Sequence, residues 1–394
     1  MTGLPQESYV PSKRIYMSVP HMGGRELTYI NEAFQTNWLS SVGPNIDGFE
    51  REIAARLGGG VHTVAVTSGT AAMHLVLRYI GVGPGDLVAV QSATFIGSVY
   101  PILYLGAQPV FIDSEDVSGN IDPELVREYF ADAAKKDRLP KVLIVVHLYG
   151  QHADLDPLAA LCAEYGVTLV EDAAESLGST YKGRQTATTA DFSILSFNGN
   201  KIITTTGGGM CVSKDPAAAV AFKKWSQQSK EAKVEYEHTQ LGYNYRMSNV
   251  LAGIGRGQLE VLDERIGQRQ RVAQRYAEAF ADLPGVTLQP EAPWGTHTRW
   301  LSVVHIDPDM NDVRPNDVIV GLEKLNIETR PVWRPMHTQP LLQGALTIGG
   351  SVSERHFARG LCLPSSSSLT EADQDLVIES FRKLFANAPA LSTL

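Results

Sequence analysis

Short apolar runs alternate with helix-like patterns between about residue 60 and residue 215. The runs are rich in β-branched residues, as buried strands are: HTVAVT, LVAVQS, QPVFID, KVLIVVHL and VTLVED. The intervening segments have the apolar spacing of helices: AAMHLVLRYIGV, FIGSVYPILYLG and LDPLAALCAEYG. This alternation predicts right-handed βαβ units, with a mainly parallel sheet and helices on both of its faces. Three more apolar runs follow: DFSILSF, KIITT and GGMCVS.

The composition of the chain changes near residue 265. A long charged helical pattern, GQLEVLDERIGQRQRVAQRYAEAFADL, leads into one strand-like run, WLSVVHID, and two helical ones, NDVIVGLEKLN and ADQDLVIESFRKLFANA. We therefore predict an N-terminal arm over residues 1–20, a large α/β domain over 21–265 and a smaller C-terminal α+β domain over 266–394.

The charge balance argues for small-molecule partners. The 394 residues include 34 Lys and Arg against 43 Asp and Glu, which gives a formal net charge of −9. An acidic chain is a poor candidate for a dedicated DNA binder or for a protein that binds anionic membranes, so we expect neither nucleic acid nor membrane as a partner. The opening residues lack the apolar core of a secretory signal, which favours a cytoplasmic protein.

The cysteine and histidine residues predict no metal site. Cys162, Cys211 and Cys362 are too few and too far apart for a zinc site or a disulfide framework. His147 and His152 flank the end of a predicted strand, where a structural role is the ordinary one.

The segment VAVTSGTAAMHLVL predicts an anion site. A strand ends near Thr67, and the turn Ser68-Gly69-Thr70 opens a helix. Backbone N–H groups and the helix dipole favour an anion there, and the two hydroxyl groups add donors, so a phosphate would fit. The alternative is that Ser68 only caps the helix.

Two later segments add an acid and a lysine. The run VTLVEDAAES is a strand that ends in Glu171 and Asp172, and ligands of open α/β sheets bind at the carboxyl ends of strands. Asp172 could equally cap a turn. In ADFSILSFNGNKIITTTGGGMCVS, Lys201 lies in a turn between two apolar runs, with Ser196, Asn198 and three glycines nearby. A partly desolvated lysine has a lowered pKa and can form a Schiff base.

Together these three features supply what pyridoxal phosphate (PLP) requires from a protein. The phosphate needs an anion site, the pyridine nitrogen needs a carboxylate, and the aldehyde needs a lysine. Each feature alone is a weak signal, but the turn at 68–70, Asp172 and Lys201 form a consistent set.

The chain also resembles a known family. The segments NWLSSVGP, TSGTAAMHL, EDAAES, SFNGNKIITTTGGGM and GYNYRMSN are similar to successive motifs of the DegT/StrS family of PLP-dependent sugar-nucleotide aminotransferases, over roughly residues 15 to 390. The resemblance implies the type I PLP-dependent aminotransferase fold, with Lys201 as the Schiff-base lysine and Asp172 at the pyridine nitrogen. It also implies that PLP cycles with pyridoxamine phosphate.

Further roles come from the resemblance. It implies that Gly69, Thr70 and Ser196 contact the phosphate and that Phe95 stacks on the cofactor ring. It implies a homodimer with shared active sites, because Asn244 would reach the phosphate of the other subunit. Glu175 stands where many members of the family carry Gln or His, so it would lie near the cofactor in an open role.

The substrate side is predicted from polar and aromatic residues in loop-like segments. They are Trp38 in NWLSSVGP, Asn198 beside the lysine, Arg246 in GYNYRMSN, and Arg330, Arg334 and His337 in TRPVWRPMHTQP. Arginine suits phosphate and carboxylate groups, and the last three residues are expected to face a diphosphate. The ordinary alternatives are a packing tryptophan and solvated cations.

The resemblance implies a ping-pong transfer of the amino group of glutamate to C4 of a nucleotide-linked 4-keto-6-deoxyhexose. Because Lys201 occupies the position at which dehydratases of the family carry histidine, transamination is favoured over dehydration. The motifs are most similar to those of enzymes that make UDP-4-amino-4,6-dideoxy-N-acetylglucosamine; GDP-4-keto-6-deoxymannose is the alternative substrate.

Two other classes of protein were considered. A non-catalytic PLP-binding regulator would need an added basic DNA-binding helix pair, and the sequence shows none. A nicotinamide-dependent enzyme would need a Gly-x-Gly-x-x-Gly turn, whereas TSGTAAMH has one glycine.

Overall fold

A computed structural model of the chain describes residues 13–386. The helices of this part are α1 Glu26–Gln35, α2 Pro44–Leu57, α3 Gly69–Ile80, α4 Tyr100–Tyr104, α5 Pro123–Lys135, α6 Leu155–Tyr165, α7 Pro216–Ser226, α8 Asn249–Leu259, α9 Leu262–Phe280, α10 Pro315–Lys324, α11 Ser351–Arg359 and α12 Glu371–Ala386. The strands are β1 His62–Val66, β2 Leu87–Gln91, β3 Gln108–Ile112, β4 Val142–Val146, β5 Thr168–Asp172, β6 Thr180–Tyr181, β7 Arg184–Gln185, β8 Phe192–Ser196, β9 Gly209–Ser213, β10 Val286–Leu288, β11 Ser302–Ile306, β12 Arg330–Pro331, β13 Leu346–Ile348 and β14 Gly360–Leu363. Short 3-10 turns lie at Ile96–Ser98, Leu148–Gly150, Met336–Thr338 and Pro340–Leu342.

The centre of the molecule is an eight-stranded sheet with the order β1-β9-β8-β5-β4-β2-β3-β13. Strand β9 pairs antiparallel with β1 and β8, and the other neighbouring pairs are parallel. The central strands are mostly apolar because helices cover both faces; β4, for example, is apolar and buried at every position. The predicted α/β class with a mainly parallel sheet is confirmed.

A second, antiparallel sheet has the order β10-β11-β14-β12. Its core is a separate apolar cluster that includes Tyr276 and Phe280 of α9, Val318 of α10 and Phe381 of α12. Strand β13, although late in the chain, lies parallel to β3 in the large sheet. The chain therefore returns to the first sheet before it completes the second.

The domain limits stay a prediction. The predicted boundary between residues 265 and 266 falls inside helix α9. Residues 1–12 of the predicted arm and 387–394 of the predicted small domain lie outside the described part of the chain. Of the arm, Ile15 pairs with Ile327 in an isolated bridge and is buried against the second sheet.

The topology brings several strand ends together. Because β5 and β8 are parallel neighbours, Asp172 and Ser196 end at the same edge of the sheet, and the turn after β1 leads there into α3. None of the helices within residues 13–386 combines the length and the apolar character that crossing a membrane requires.

Candidate active site

A cavity of about 340 Å³ lies at this edge of the sheet. Its size is within the range of small-molecule sites, roughly 300–1,000 Å³. Eight of the residues predicted from the sequence line it: Gly69, Thr70, Phe95, Asp172, Glu175, Ser196, Asn198 and Lys201. A phosphate turn, an acid and a lysine that are far apart in the sequence therefore surround one space.

The turn after β1 forms one end of the cavity. Ser68 is the N-cap of α3, and its hydroxyl accepts a hydrogen bond from Ala71 N–H at 3.0 Å. The cap interpretation of Ser68 is thus correct, and it leaves the first N–H groups of the helix available for an anion. A Cβ atom on Gly69 would lie 3.2 Å from Ser196 Cβ, a tight contact that glycine avoids.

Strand β9 holds this turn by backbone contact. A Cβ atom on Gly209 would lie 2.3 Å from the carbonyl carbon of Ser68 and 2.4 Å from the nitrogen of Gly69. Real Cβ atoms do not approach other atoms so closely, which explains why a glycine begins β9. Its close approach fixes the position of the anion site relative to β8.

Asp172 is a buried carboxyl group at the floor of the cavity. Its Oδ2 accepts a hydrogen bond from the Ser98 hydroxyl at 2.7 Å, and its Oδ1 accepts one from Ala174 N–H at 3.1 Å. Burial raises the pKa of Asp172 despite these two donors. A cationic group opposite this carboxyl would favour its ionised form.

Lys201 lies in the turn after β8, and its backbone N–H donates to Asn198 O at 3.0 Å. Its ammonium group is 3.9 Å from the centre of the Trp300 ring and 3.7 Å from Glu175 Oε1. Burial lowers the pKa of Lys201, and the carboxylates of Glu175 and Asp172 only partly oppose this effect. A lysine in this environment has more of the neutral amine that nucleophilic attack requires.

Glu175 is fixed by donors on two sides. Tyr149 N–H donates to its Oε2 at 2.8 Å, and the indole N–H of Trp333 donates to its Oε1 at 3.2 Å. Burial raises the pKa of Glu175, while the nearby Lys201 lowers it. The carboxyl group of Glu175 therefore points toward Lys201, so any role of Glu175 would be exerted beside the lysine.

The carbonyl of Asn200, immediately before the lysine, is held by two distant segments. The Ser18 hydroxyl and the Trp300 indole N–H each donate to it at 2.7 Å. Arg269 joins these segments, since its guanidinium donates to Trp300 O at 2.6 Å and to Ser18 Oγ at 3.1 Å. Burial lowers the pKa of Arg269 to about 9.

A second cavity of about 620 Å³ opens beside the first, and Thr94, Phe95, Asn200 and Trp333 line both. Arg330 and Arg334, which the sequence predicts to face a diphosphate, lie on its wall, and their contact with substrate stays a prediction. Arg330 pairs with Glu328 at 2.8 Å, and Arg334 donates to the hydroxyl and the carbonyl oxygen of Thr338.

Two predicted substrate residues have structural partners instead. Arg246 is buried and pairs with Glu50, and it donates to Ala65 O at 3.1 Å, outside both cavities. His337 uses both ring nitrogens, with Ser92 Oγ at 2.6 Å and Glu354 Oε1 at 2.9 Å. Within this subunit, the geometry supports a packing role for each of them rather than contact with substrate.

Two other predicted residues lie on the surface. Trp38 is 45% exposed, and its hydrogen bonds are made by the backbone: its N–H donates to Ala33 O and its carbonyl accepts from Asn249 Nδ2, each at 2.9 Å. Asn244 is exposed and is absent from the wall of its own subunit's cavity. A role for Asn244 would therefore require a second copy of the chain.

The structure brings together His147, His152 and Glu171, from which the sequence predicted no metal site. One ligand atom of each lies within 4.8 Å of the others, and all three are buried. Glu171 already accepts hydrogen bonds from His147 and from three backbone N–H groups, including those of Thr189 and Ala190. This engagement favours a network that anchors the end of β5 beside Asp172.

The family profile described as the DegT/DnrJ/EryC1/StrS aminotransferase family matches residues 20–382. The chain belongs to this family. EpsN of Bacillus subtilis is provisionally named as a pyridoxal phosphate-dependent aminotransferase. It is 48% identical to this chain, over 95% of this chain and 96% of EpsN. A GDP-perosamine synthase of Caulobacter vibrioides is 38% identical, over 93% of this chain and 96% of the synthase. The crystal structure of DesI in the presence of its TDP-sugar product matches with a TM-score of 0.89 at 26% identity, over 98% of this chain and 96% of DesI.

The protein is thus a PLP-dependent sugar aminotransferase, and its cofactor alternates between PLP and pyridoxamine phosphate. The residues around the first cavity fit this group. The turn at 68–70 with Ser196 would hold its phosphate, Asp172 its ring nitrogen and Lys201 its aldehyde carbon. The space beside Gly69 that a side chain would fill is part of this fit.

Sequence reasoning missed four side chains of the site. Ser98 ends a 3-10 turn and belongs to no motif, and Tyr149 and Trp300 look like ordinary core aromatics. Trp333 stands within TRPVWRPMH, whose predicted site residues are the two arginines and His337. Their functions depend on contacts across more than 70 residues of sequence, which no local pattern reveals.

Proposed function

We propose that the protein transfers the amino group of glutamate to C4 of a nucleotide-linked 4-keto-6-deoxyhexose. The observation that carries the proposal is that Lys201 and Asp172 share the first cavity, which adjoins the second cavity with Arg330 and Arg334 on its wall. A sugar in the first cavity would have its diphosphate in the second, where guanidinium groups suit phosphate oxygens.

The cofactor would supply an electron sink that makes the hydrogen on the α-carbon of glutamate acidic; in the second half of the cycle, C4 of the keto sugar receives the proton. Lys201 would remove and return this proton at Nζ, and the burial that lowers its pKa suits it to accept a proton near neutral pH. Glu175, at 3.7 Å, would hold the free amine toward the substrate. Asp172 would favour a protonated ring nitrogen by its negative charge.

Two nucleotides are candidates. The segments SFNGNKIITT and GYNYRMSN favour a UDP-linked 2-acetamido sugar, the type that leads to UDP-4-amino-4,6-dideoxy-N-acetylglucosamine. Relatives named GDP-perosamine synthase, at 38%, 35% and 33% identity, favour GDP-4-keto-6-deoxymannose. We retain the UDP-linked sugar as the first candidate and the GDP-linked sugar as the second.

The active unit is proposed to be a homodimer. The exposed loops that carry Trp38 and Asn244 lie on the surface of the subunit, although the sequence predicts a substrate contact for Trp38 and the family resemblance implies a phosphate contact for Asn244. A second copy would supply them to the neighbouring site. We further propose that the enzyme acts in the cytoplasm without a nucleic-acid or membrane partner.

An absorption spectrum tests the activity. The purified holoenzyme should absorb near the visible range, lose that absorbance with glutamate and regain it with the correct keto sugar from a panel of UDP-, GDP- and dTDP-linked compounds. Lys201→Ala should abolish turnover, whereas Lys223→Ala, at an exposed lysine, serves as the control. A spectrum unchanged by glutamate would favour the regulator instead, and full activity of Lys201→Ala would overturn the assignment.

A further inference from the structure

Trp333 stands at the junction of the two cavities. The first contains Lys201 and Asp172, the second contains Arg330 and Arg334, and Trp333 lines both. A ligand that reaches from the arginines to the lysine therefore passes this side chain. We propose that Trp333 binds the apolar face of the 6-deoxy sugar and sets its carbonyl carbon before Lys201; this inference rests on the proposed function.

The indole of Trp333 is held rigidly. The backbone N–H of Trp333 donates to the Tyr149 hydroxyl oxygen at 2.7 Å, and the indole N–H donates to Glu175 Oε1 at 3.2 Å. The ring lies nearly parallel to that of Tyr149, with an angle of 15° and 6.1 Å between centres. Tyr149 in turn lies nearly parallel to Trp300, at 16° and 6.5 Å. The position of Trp333 is thus set before substrate arrives, as selective binding sites require.

The same hydrogen bond decides what Trp333 offers to a ligand. Tryptophan has a single donor in its side chain, and Glu175 uses it. What remains for a sugar is the aromatic surface of Trp333, whose ring centre is 5.3 Å from that of Phe95, the residue expected to stack on the cofactor ring. An aromatic surface suits C–H groups and a methyl group better than a hydroxyl group, which would lose its hydration there.

A 6-deoxyhexose matches this surface. Its C6 is a methyl group where an ordinary hexose has a hydroxymethyl group, and the C–H groups of a pyranose ring form an apolar face. The apolar side chains of the second cavity continue the surface, among them Met17, Ile96 and Leu301. Trp333 would therefore be a specificity-determining residue that favours 6-deoxy sugars over their 6-hydroxy counterparts.

The test compares equilibrium binding of two ligands by calorimetry. One is the 4-amino-6-deoxy sugar nucleotide that the assay panel identifies as product, and the other is the corresponding free nucleoside diphosphate. In the Trp333→Ala holoenzyme, we expect the Kd of the sugar nucleotide to rise at least about ten-fold, while the Kd of the nucleoside diphosphate stays within about two-fold. Trp333→Phe should retain most of the affinity because it keeps an aromatic ring.

Trp294→Ala is the matched control, since that indole donates to His152 O outside both cavities. It should leave both dissociation constants unchanged. Equal sugar-nucleotide affinity in wild type and Trp333→Ala would overturn the inference, as would an equal loss for both ligands. If wild type binds no 4-amino-6-deoxy sugar nucleotide, the proposed function fails and the inference falls with it, so the two failures are distinguishable.

Discussion

The contact between Gly209 and the Ser68–Gly69 turn makes a direct prediction for Gly209→Ala. The added Cβ would lie 2.3 Å from Ser68 C and 2.4 Å from Gly69 N, both backbone atoms that no side-chain rotation can move away. Ordinary contacts between carbon atoms are about 3.5–4.0 Å, so β9 and the turn must separate by about 1 Å. Gly209 does not have a positive φ, so the alanine is not strained by the backbone itself.

This separation has a cost in stability and a larger one in cofactor binding. Overpacking of this kind destabilises by about 1–3 kcal/mol. Because the turn carries the anion site, its displacement should weaken the binding of PLP about ten-fold or more, which corresponds to about 1.4 kcal/mol. The assay is a titration of the cofactor-free protein with PLP, followed by absorbance, together with thermal unfolding of the same cofactor-free protein.

Gly199→Ala is the control, because a Cβ atom there meets only Thr206 O, at an ordinary 3.7 Å. We expect its affinity for PLP to stay close to that of wild type. If Gly209→Ala binds PLP as tightly as wild type and unfolds at the same temperature, the close approach of β9 does not position the turn, and the reasoning is refuted.

Three further predictions concern partners of buried charges. Arg246→Met leaves the carboxylate of Glu50 without its cation, at a cost of about 3 kcal/mol, so Tm should fall by several degrees; an unchanged Tm with a raised KM for the sugar would restore a substrate role for Arg246. Ser98→Ala removes a donor that lowers the pKa of Asp172, so the acid limb of the pH–rate profile should move to higher pH, and an unmoved limb would contradict this. Burial acts to raise the pKa of Asp113, but hydrogen bonds from residues 352 and 353 outweigh it, so the pKa is lowered overall. The ionised carboxylate therefore stabilises the fold above the ordinary aspartate pKa, and this stabilisation is lost as pH falls through the lowered pKa. Urea unfolding should accordingly show Asp113→Asn to be less stable than wild type at pH 7, with the difference shrinking toward pH 2; a constant difference would count against the assignment.

The elements that sequence alone predicted best are those that end or begin at the site. The apolar runs that became β1 to β5 and the turn before α3 have strong local signals, because buried strands are rich in apolar β-branched residues and a capped helix start has a fixed pattern. Motif order was then enough to place Asp172 and Lys201 in one site, and the structure has both in one cavity.

Other features depended on distant contacts. The apolar run KIITT begins with Lys201 but forms no strand, since β9 begins only at Gly209. Arg246 was a natural candidate for a substrate cation, but Glu50, which neutralises it, lies 196 residues earlier in the chain. The joining of β13 to the first sheet likewise follows from packing on β3, which the short run Leu346–Ile348 does not announce.

The attachment of the Asn200 carbonyl has a consequence for dividing the protein. Its two donors come from Ser18 and Trp300, which are 182 and 100 residues away. A fragment that stopped before Trp300 would still contain every side chain expected to touch the cofactor, yet the peptide that carries the reactive amine would have lost one of its supports. Splitting the gene at the apparent domain limit should therefore give two pieces that recover amine transfer only when they are combined.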